Sequence, residues 1–299
     1  MLQDSKGALR LLLLACLVGL MAAEVGSFSP CLRFFHRDTP PTGIDGSGCT
    51  EPVCQRYHNQ YRFASLYDRL HRTPLYSAYL LTPAAGKRPE TVWKYEPQLA
   101  SSSANPEMLC FPINDKIDQN VIQSQAVPLD YTNSGYTRGH LNPSSHHQDM
   151  GDRNATFTLT NIVPQREGLQ HGALEVAGGR GGSQAPGVLS GARVRDHRGP
   201  ALRLRAALDQ QQGGGARVPV VGLLLPRLQA SLPSGARPFF PTYAAVGRND
   251  PQSGPEIVPV DPNARVWGYD VKRMPLADLE DVLEQRLAMP VTLFQGQCV

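Results

Sequence analysis

The sequence predicts an α+β fold. Three observations lead there: β-patterned segments, separate stretches with helical spacing, and enough apolar sequence to bury a core. The chain has 299 residues and 32.6 kDa, with 41% apolar and 18% charged residues. That composition excludes a solvated disordered polymer. The formal net charge of +3 is too small to argue by itself for a nucleic-acid or membrane partner. Beyond the N-terminus no apolar run approaches the ~20 residues that span a bilayer, so multi-pass membrane protein, coiled coil and collagen are excluded.

Thr73-Pro-Leu-Tyr-Ser-Ala-Tyr-Leu-Leu81 is aromatic, alternating and turn-bounded, and reads as a strand. Ala155-Thr-Phe-Thr-Leu-Thr160 alternates cleanly and reads as another. Phe63 to Arg69 has helical spacing, with Phe63, Leu66 and Tyr67 on one face. Near the end, Pro275 stands at a first helical position. Leu276, Leu279, Val282, Leu283 and Leu287 then form an apolar stripe that Pro290 stops. Val291 to Phe294 reads as a closing strand leading to Cys298, expected to be tied back by a disulfide.

The first 22 residues read as a secretory signal. Lys6 and Arg10 supply the positive start, Leu11 to Met21 the apolar run, and Ala22, Ala23, Gly26 and Ser27 offer cleavage sites within 22–27. Residues 28–299 then form a single domain that is secreted to an oxidising, extracellular environment. Five cysteines remain (Cys31, Cys49, Cys54, Cys110 and Cys298), an odd number. That means a free thiol, an intermolecular bridge or a missing partner.

Gly168 to Leu232 stands apart. It holds 13 of the 28 glycines and eight arginines against Glu175, Asp196 and Asp209. All of the net basicity of the chain comes from it. It contains no aromatic residue and no Cys, Lys, Asn, Ile, Met or Thr. A disordered linker and a basic, phosphate-gripping arm are the two direct readings.

The chemistry-bearing residues lie just before it. Tyr136-Thr-Arg-Gly-His-Leu-Asn-Pro143 follows a turn-rich lead, and Asn154-Ala-Thr-Phe-Thr-Leu-Thr-Asn-Ile-Val-Pro-Gln165 comes after it. Together the two blocks resemble the DNA/RNA non-specific endonuclease family, the secreted ββα-metal nucleases. Its signature is Asp-Arg-Gly-His-Leu-x-Pro, then Ala-Thr-Phe and Ser-Asn-Ile-x-Pro-Gln. Within that family, the flanks resemble the endonuclease domain-containing 1 group. That likeness runs from Cys31-Leu-Arg-Phe-Phe35 through Phe239 to Asp250 and on to Leu293-Phe-Gln-Gly-Gln-Cys298.

The resemblance implies a ββα-metal nuclease fold with a central antiparallel sheet and flanking helices, disrupted over 169–232. It implies a Mg²⁺-dependent endonuclease that binds DNA or RNA through the phosphate backbone, with no membrane partner. His140 is then the general base, since an imidazole accepts a proton near neutral pH. Arg138 and Asn161 contact substrate or brace the scaffold, and Gly139 permits a tight turn. Two positions depart from the pattern. Thr137 replaces the acidic residue before Arg-Gly-His. Gln170 stands where the family has its metal-binding Asn, and its extra methylene moves the amide by roughly 1.5 Å. These departures favour the alternative reading, a catalytically inactive secreted binding protein on a degenerate nuclease fold.

Read one nucleotide out of phase, codons for Glu167 to Gly179 can give E-G-S-N-T-G-P-W-K-W-L-E. This restores the family's Asn, Trp and Glu at their spacing. Segment 169–232 therefore reads as a compensated frameshift, and the printed residues are expected to forfeit part of the sheet. Two smaller sites remain. Asn154-Ala-Thr156 is an N-glycosylation sequon. His146, His147, Asp149 and Asp152 read as a solvated loop rather than a metal cluster.

Overall fold

A computed structural model describes residues 24–44, 48–82, 88–113, 116–166, 199–205, 219–224, 242–247 and 271–294. The signal segment, Gln170 and Cys298 lie outside them. The described residues form an α+β arrangement. Its strands are β1 (Thr50–Tyr57), β2 (Gln60–Asp68), β3 (Thr73–Leu81), β4 (Lys94–Tyr95), β5 (Leu109–Cys110) and β6 (Tyr136–His140). They continue with β7 (Ile162–Arg166), β8 (Gly199–Arg205), β9 (Pro219–Leu224), β10 (Thr242–Gly247) and β11 (Val271–Met274). Seven of these build one antiparallel sheet in the order β1-β2-β3-β8-β9-β10-β11.

The strand expected at 73–81 is β3. The helix expected over Phe63 to Arg69 is instead strand β2. Phe63, Ala64, Ser65 and Tyr67 are fully buried and Leu66 nearly so. When both faces of a central strand are covered, apolar residues lose their two-residue alternation and can mimic helical spacing. His58 and Asn59, both at positive φ (51° and 58°), make the two-residue turn joining β1 to β2.

Two strands of the sheet lie within 169–232, where the described residues are 199–205 and 219–224. β8 pairs with β3 (Tyr76 opposite Leu204) and β9 with β10 (Tyr243 opposite Leu223). The printed segments supply what that pairing needs: Ala-Leu-Arg-Leu-Arg alternates, and Pro-Val-Val-Gly-Leu-Leu is rich in strand formers.

The two faces of the sheet differ. On one, Phe34, Phe35, Ala64, Leu66, Tyr76 and Val246 pack with Leu279 and Leu283 of the C-terminal helix Leu276–Leu287. Disulfide Cys31–Cys54 ties the N-terminal 3₁₀ turn to β1 on this side. The expected terminal helix is present, with Pro275 as its N-cap, and it ends at Ala288 in left-handed conformation. The closing strand expected at Val291 to Phe294 is reduced to a single bridge, Thr292 to Thr42.

The opposite face carries polar side chains at buried positions. Ser65 and Ser77 hydroxyls lie 3.0 Å apart, and Gln55 Nε2 donates to Thr160 Oγ1 at 2.9 Å. Residues 155–160, expected to be a strand, close the helix Met150–Ala155 and enter a 3₁₀ turn, Leu159–Asn161. Thr156, Thr158 and Thr160 are fully buried, and their hydroxyls bond to the Arg153 carbonyl, Glu96 and Gln55 respectively. Such side-chain bonds compete with a strand ladder.

Candidate active site

The two motif blocks meet as a hairpin. β6 and β7 pair in register, Thr137 opposite Gln165, Gly139 opposite Val163 and His140 opposite Ile162. This hairpin supplies the two strands of the expected ββα unit. The helix that would complete it falls beyond Arg166, outside the described residues.

Gly139 does not serve a turn. It lies within β6, and a Cβ there would come 2.4 Å from Gln165 Oε1. Its missing side chain makes room for Gln165 from the paired strand. Thr137 Oγ1 donates to the Gln165 carbonyl at 3.0 Å, so the position of the family's acidic residue serves as a tie across the hairpin.

His140 ends β6 half-buried, between two aromatic rings. Trp93 lies 5.4 Å from it and Phe157 4.9 Å, edge to face. Its Nε2 is shielded from solvent. Arg138, two residues earlier and on the same strand face, places its guanidinium 4.7 Å from the Trp93 ring centroid. Arg88 lies 5.3 Å over Phe157. Each of the two rings beside the imidazole thus carries an arginine. Trp93 and Arg88 were not singled out from sequence; the aromatic-rich Val92-Trp93-Lys94-Tyr95 stretch carried the only hint.

Lys94 holds this neighbourhood in place. Its Nζ donates to the carbonyls of Asn154 (2.9 Å) and Val92 (3.1 Å). Burial depresses its pKa, with Glu96 acting the other way. Asn154, the sequon residue, lies half-buried in the helix Met150–Ala155 rather than beside a strand.

Asn161 is fully buried and makes four hydrogen bonds. Its Oδ1 accepts from the Asn142 N–H (2.9 Å) and Ser77 Oγ (3.1 Å), and its Nδ2 donates to the carbonyls of Asn142 and Thr156 (2.9 Å each). No amide capacity is left over for substrate, so of the two roles expected for Asn161 this geometry fits bracing.

The segment 146–152 is neither a metal cluster nor a solvated loop. His147 is 2% exposed, and its Nε2 donates to Asn142 Oδ1 at 2.6 Å. Burial, with Arg153 adding to it, pushes its pKa down to about 4 and keeps it neutral. His146 Nδ1 meets the Tyr79 hydroxyl at 2.9 Å. Asp149 caps the helix Met150–Ala155 and, with Asp152, pairs with Arg62.

Among the described residues, no three of His, Cys, Asp and Glu converge as a metal-ligating group. The side chains of Thr137 and Asn161 are committed to protein partners. Gln170, the residue expected to hold a cation, lies outside the described residues.

The site is a hairpin carrying Arg-Gly-His, braced by a saturated asparagine from an Asn-Ile-x-Pro-Gln block. Residues 41–176 match the model of the DNA/RNA non-specific endonuclease family. The chain is similar to Endonuclease domain-containing 1 protein from Homo sapiens, at 37% identity over 152 residues, 50% of this chain and 30% of that protein. Its mouse counterpart is 34% identical over 164 residues, 52% of this chain and 32% of that one. The chain thus spans about a third of the length of these relatives. A chain of the EndoG/EndoGI complex, solved for the mechanism of EndoG inhibition, gives a TM-score of 0.44 at 15% identity. That match covers 82% of this chain and 87% of the other.

Proposed function

We propose that this chain is a secreted, Mg²⁺-dependent endonuclease that hydrolyses phosphodiester bonds of DNA or RNA without sequence preference, leaving 5′-phosphate ends. The observation that carries the reading is the placement of His140 at the end of β6. Arg138 lies on the same strand face and Trp93 packs against both. His140 is the general base: it takes the proton of the water that attacks phosphorus. Nε2 is shielded, so this step requires the rings around it to move aside when substrate enters.

Arg138 and Arg88 bind phosphate oxygens. Arginine presents fixed donors to such groups, and contacts to phosphate carry no base information, which accounts for indifference to sequence. Asn161 fixes the histidine loop to the sheet. Gln170 is the proposed metal-binding residue; the divalent ion, when bound, supplies neutralisation of phosphate charge. Glycosylation at Asn154 belongs to the same reading. Because Asn154 ends up in a helix with Thr156 fully buried, the sugar would have to be added before the domain folds.

A second reading, a secreted nucleic-acid-binding protein without activity, is favoured by one specific feature: the threonine tie where a carboxylate is expected. A plasmid-nicking assay with Mg²⁺, controlled with EDTA, separates the two. It is run on the chain as given and on a frame-corrected version of 169–232. Cleavage that vanishes on His140→Ala supports the enzyme. A corrected chain that cleaves nothing, or is indifferent to that substitution, rejects it.

A further inference from the structure

The segment Glu24–Gly26 is built into the edge of the sheet. The Glu24 carbonyl accepts the Cys54 N–H at 2.7 Å, and Gly26 N–H donates to the Pro52 carbonyl at 2.8 Å. Val25 bridges Val53 antiparallel. The Glu24 and Val25 N–H groups both donate to Gln98 Oε1, at 2.8 and 3.3 Å. Glu24 is fully buried, and its Oε1 accepts the Arg56 N–H at 2.8 Å.

The Glu24 carboxyl interacts with that of Glu96, itself fully buried. Glu96 Oε1 accepts the Thr158 hydroxyl at 3.1 Å, the two carboxyls lie within hydrogen-bond reach of each other, and Oε2 of each is buried with no other partner. Neither enters an ion pair among the described residues. The charged groups around them are otherwise engaged or repelling. Arg56 gives its guanidinium to Glu107 at 3.1 Å, Lys94 gives its ammonium to two carbonyls, and Glu107 adds negative charge. Two buried carboxyls without a cation are costly.

We propose that the Ala23–Glu24 peptide bond is the processing site of this chain, and that the α-ammonium released on Glu24 is the counter-charge of the Glu24–Glu96 pair. The inference rests on the reading that the leader is removed on export. A leader peptidase adds water across the bond, so Ala23 leaves with the new carboxylate and the Glu24 nitrogen, with all three hydrogens, becomes –NH₃⁺. Covalent geometry alone keeps that nitrogen within about 5 Å of its own carboxyl. An opposite charge at such a distance favours the ionised carboxylate. Cutting after Gly26 or Ser27 would instead remove the Val25 bridge, the Gln98 contacts and the Arg56 acceptor. Cutting after Ala22 would set the charge one residue farther out. Ala23 is itself a small residue suited to precede a cleaved bond.

Two measurements test this separately from export. Mass spectrometry of the chain secreted by eukaryotic cells is expected to give Glu24 as first residue. A secreted chain beginning elsewhere overturns the site, whereas a cell-retained chain with its leader intact overturns the export reading along with its cleavage. Independently, a chain prepared to begin at Glu24 is compared with the same chain acetylated at that nitrogen. The free amine should melt roughly 2–4 °C higher at pH 7, with the gap closing at pH 10, where an α-amine is neutral. Equal melting at pH 7 overturns the counter-charge whatever happens in cells. A gap that survives in Glu24→Gln/Glu96→Gln also overturns it.

Discussion

Asn161 and Asn142 exchange two hydrogen bonds, each 2.9 Å: the amide of Asn161 accepts the backbone N–H of Asn142 and donates to its carbonyl. The same Asn161 oxygen accepts from Ser77 on β3. The loop that follows His140 is thereby fastened to the central sheet through one side chain. Asn161→Ala strands buried backbone and hydroxyl groups, and the loss should be about 2–4 kcal/mol. Urea denaturation measures it; an unchanged midpoint would refute the bracing role.

His140→Ala should reduce Mg²⁺-dependent plasmid nicking by at least ~10²-fold, the scale of a lost general base. Its far-ultraviolet circular dichroism should match the parent, because the ring is half-buried rather than a core residue. Nicking that persists at the parental rate assigns the proton transfer to another group.

Gly139→Ala pushes a methyl into Gln165. The hairpin should loosen, with nicking activity and thermal stability falling together. The double variant Gly139→Ala/Gln165→Gly removes the clashing atoms, Cβ included, and should recover most of both. Failure of the second substitution to rescue would mean that Gly139 matters for a reason other than this contact.

Thr137→Asp restores a carboxylate before Arg-Gly-His, at the cost of the tie to the Gln165 carbonyl. If His140 works as proposed, the variant should cleave faster than the parent in a frame-corrected chain. Slower cleavage with intact folding would show that the threonine tie is worth more than the charge.

Two buried groups titrate with opposite effect on stability. Burial raises Glu96 to about 7, above its ordinary value of 4.5. Its contribution is complete below pH 4.5 and is lost as pH rises towards 7. His147, lowered to about 4 from 6.5, contributes above pH 6.5 and loses it as pH falls towards 4. Glu96→Gln should therefore gain stability relative to the parent between pH 4.5 and 7, and His147→Gln should gain as pH falls through 6.5 to 4. Melting curves across that range check both; parallel pH profiles for parent and variants would contradict them.

Strand β3, the C-terminal helix and the histidine motif were legible because each rests on local pattern: alternation, a 3.6-residue stripe, a run of chemistry-bearing residues. β2 was not, because burial on both faces of Phe63 to Asp68 erased its alternation. Ala155 to Thr160 failed for a different reason. Its threonine hydroxyls found partners in Arg153, Glu96 and Gln55 that no local pattern announces. β8 and β9 are specified by the edges of β3 and β10 as much as by their own residues. The cation–aromatic box at His140 joins residues more than forty positions apart.

The position of β8 has a consequence for shortened forms of the chain. The match to the nuclease family model ends at residue 176, yet β3 completes its hydrogen bonding with residues 199–205. A product truncated at the homology limit would bare a nine-residue strand whose amides and carbonyls are templates for another molecule. Self-association, rather than a soluble minimal nuclease, is what such a fragment should display.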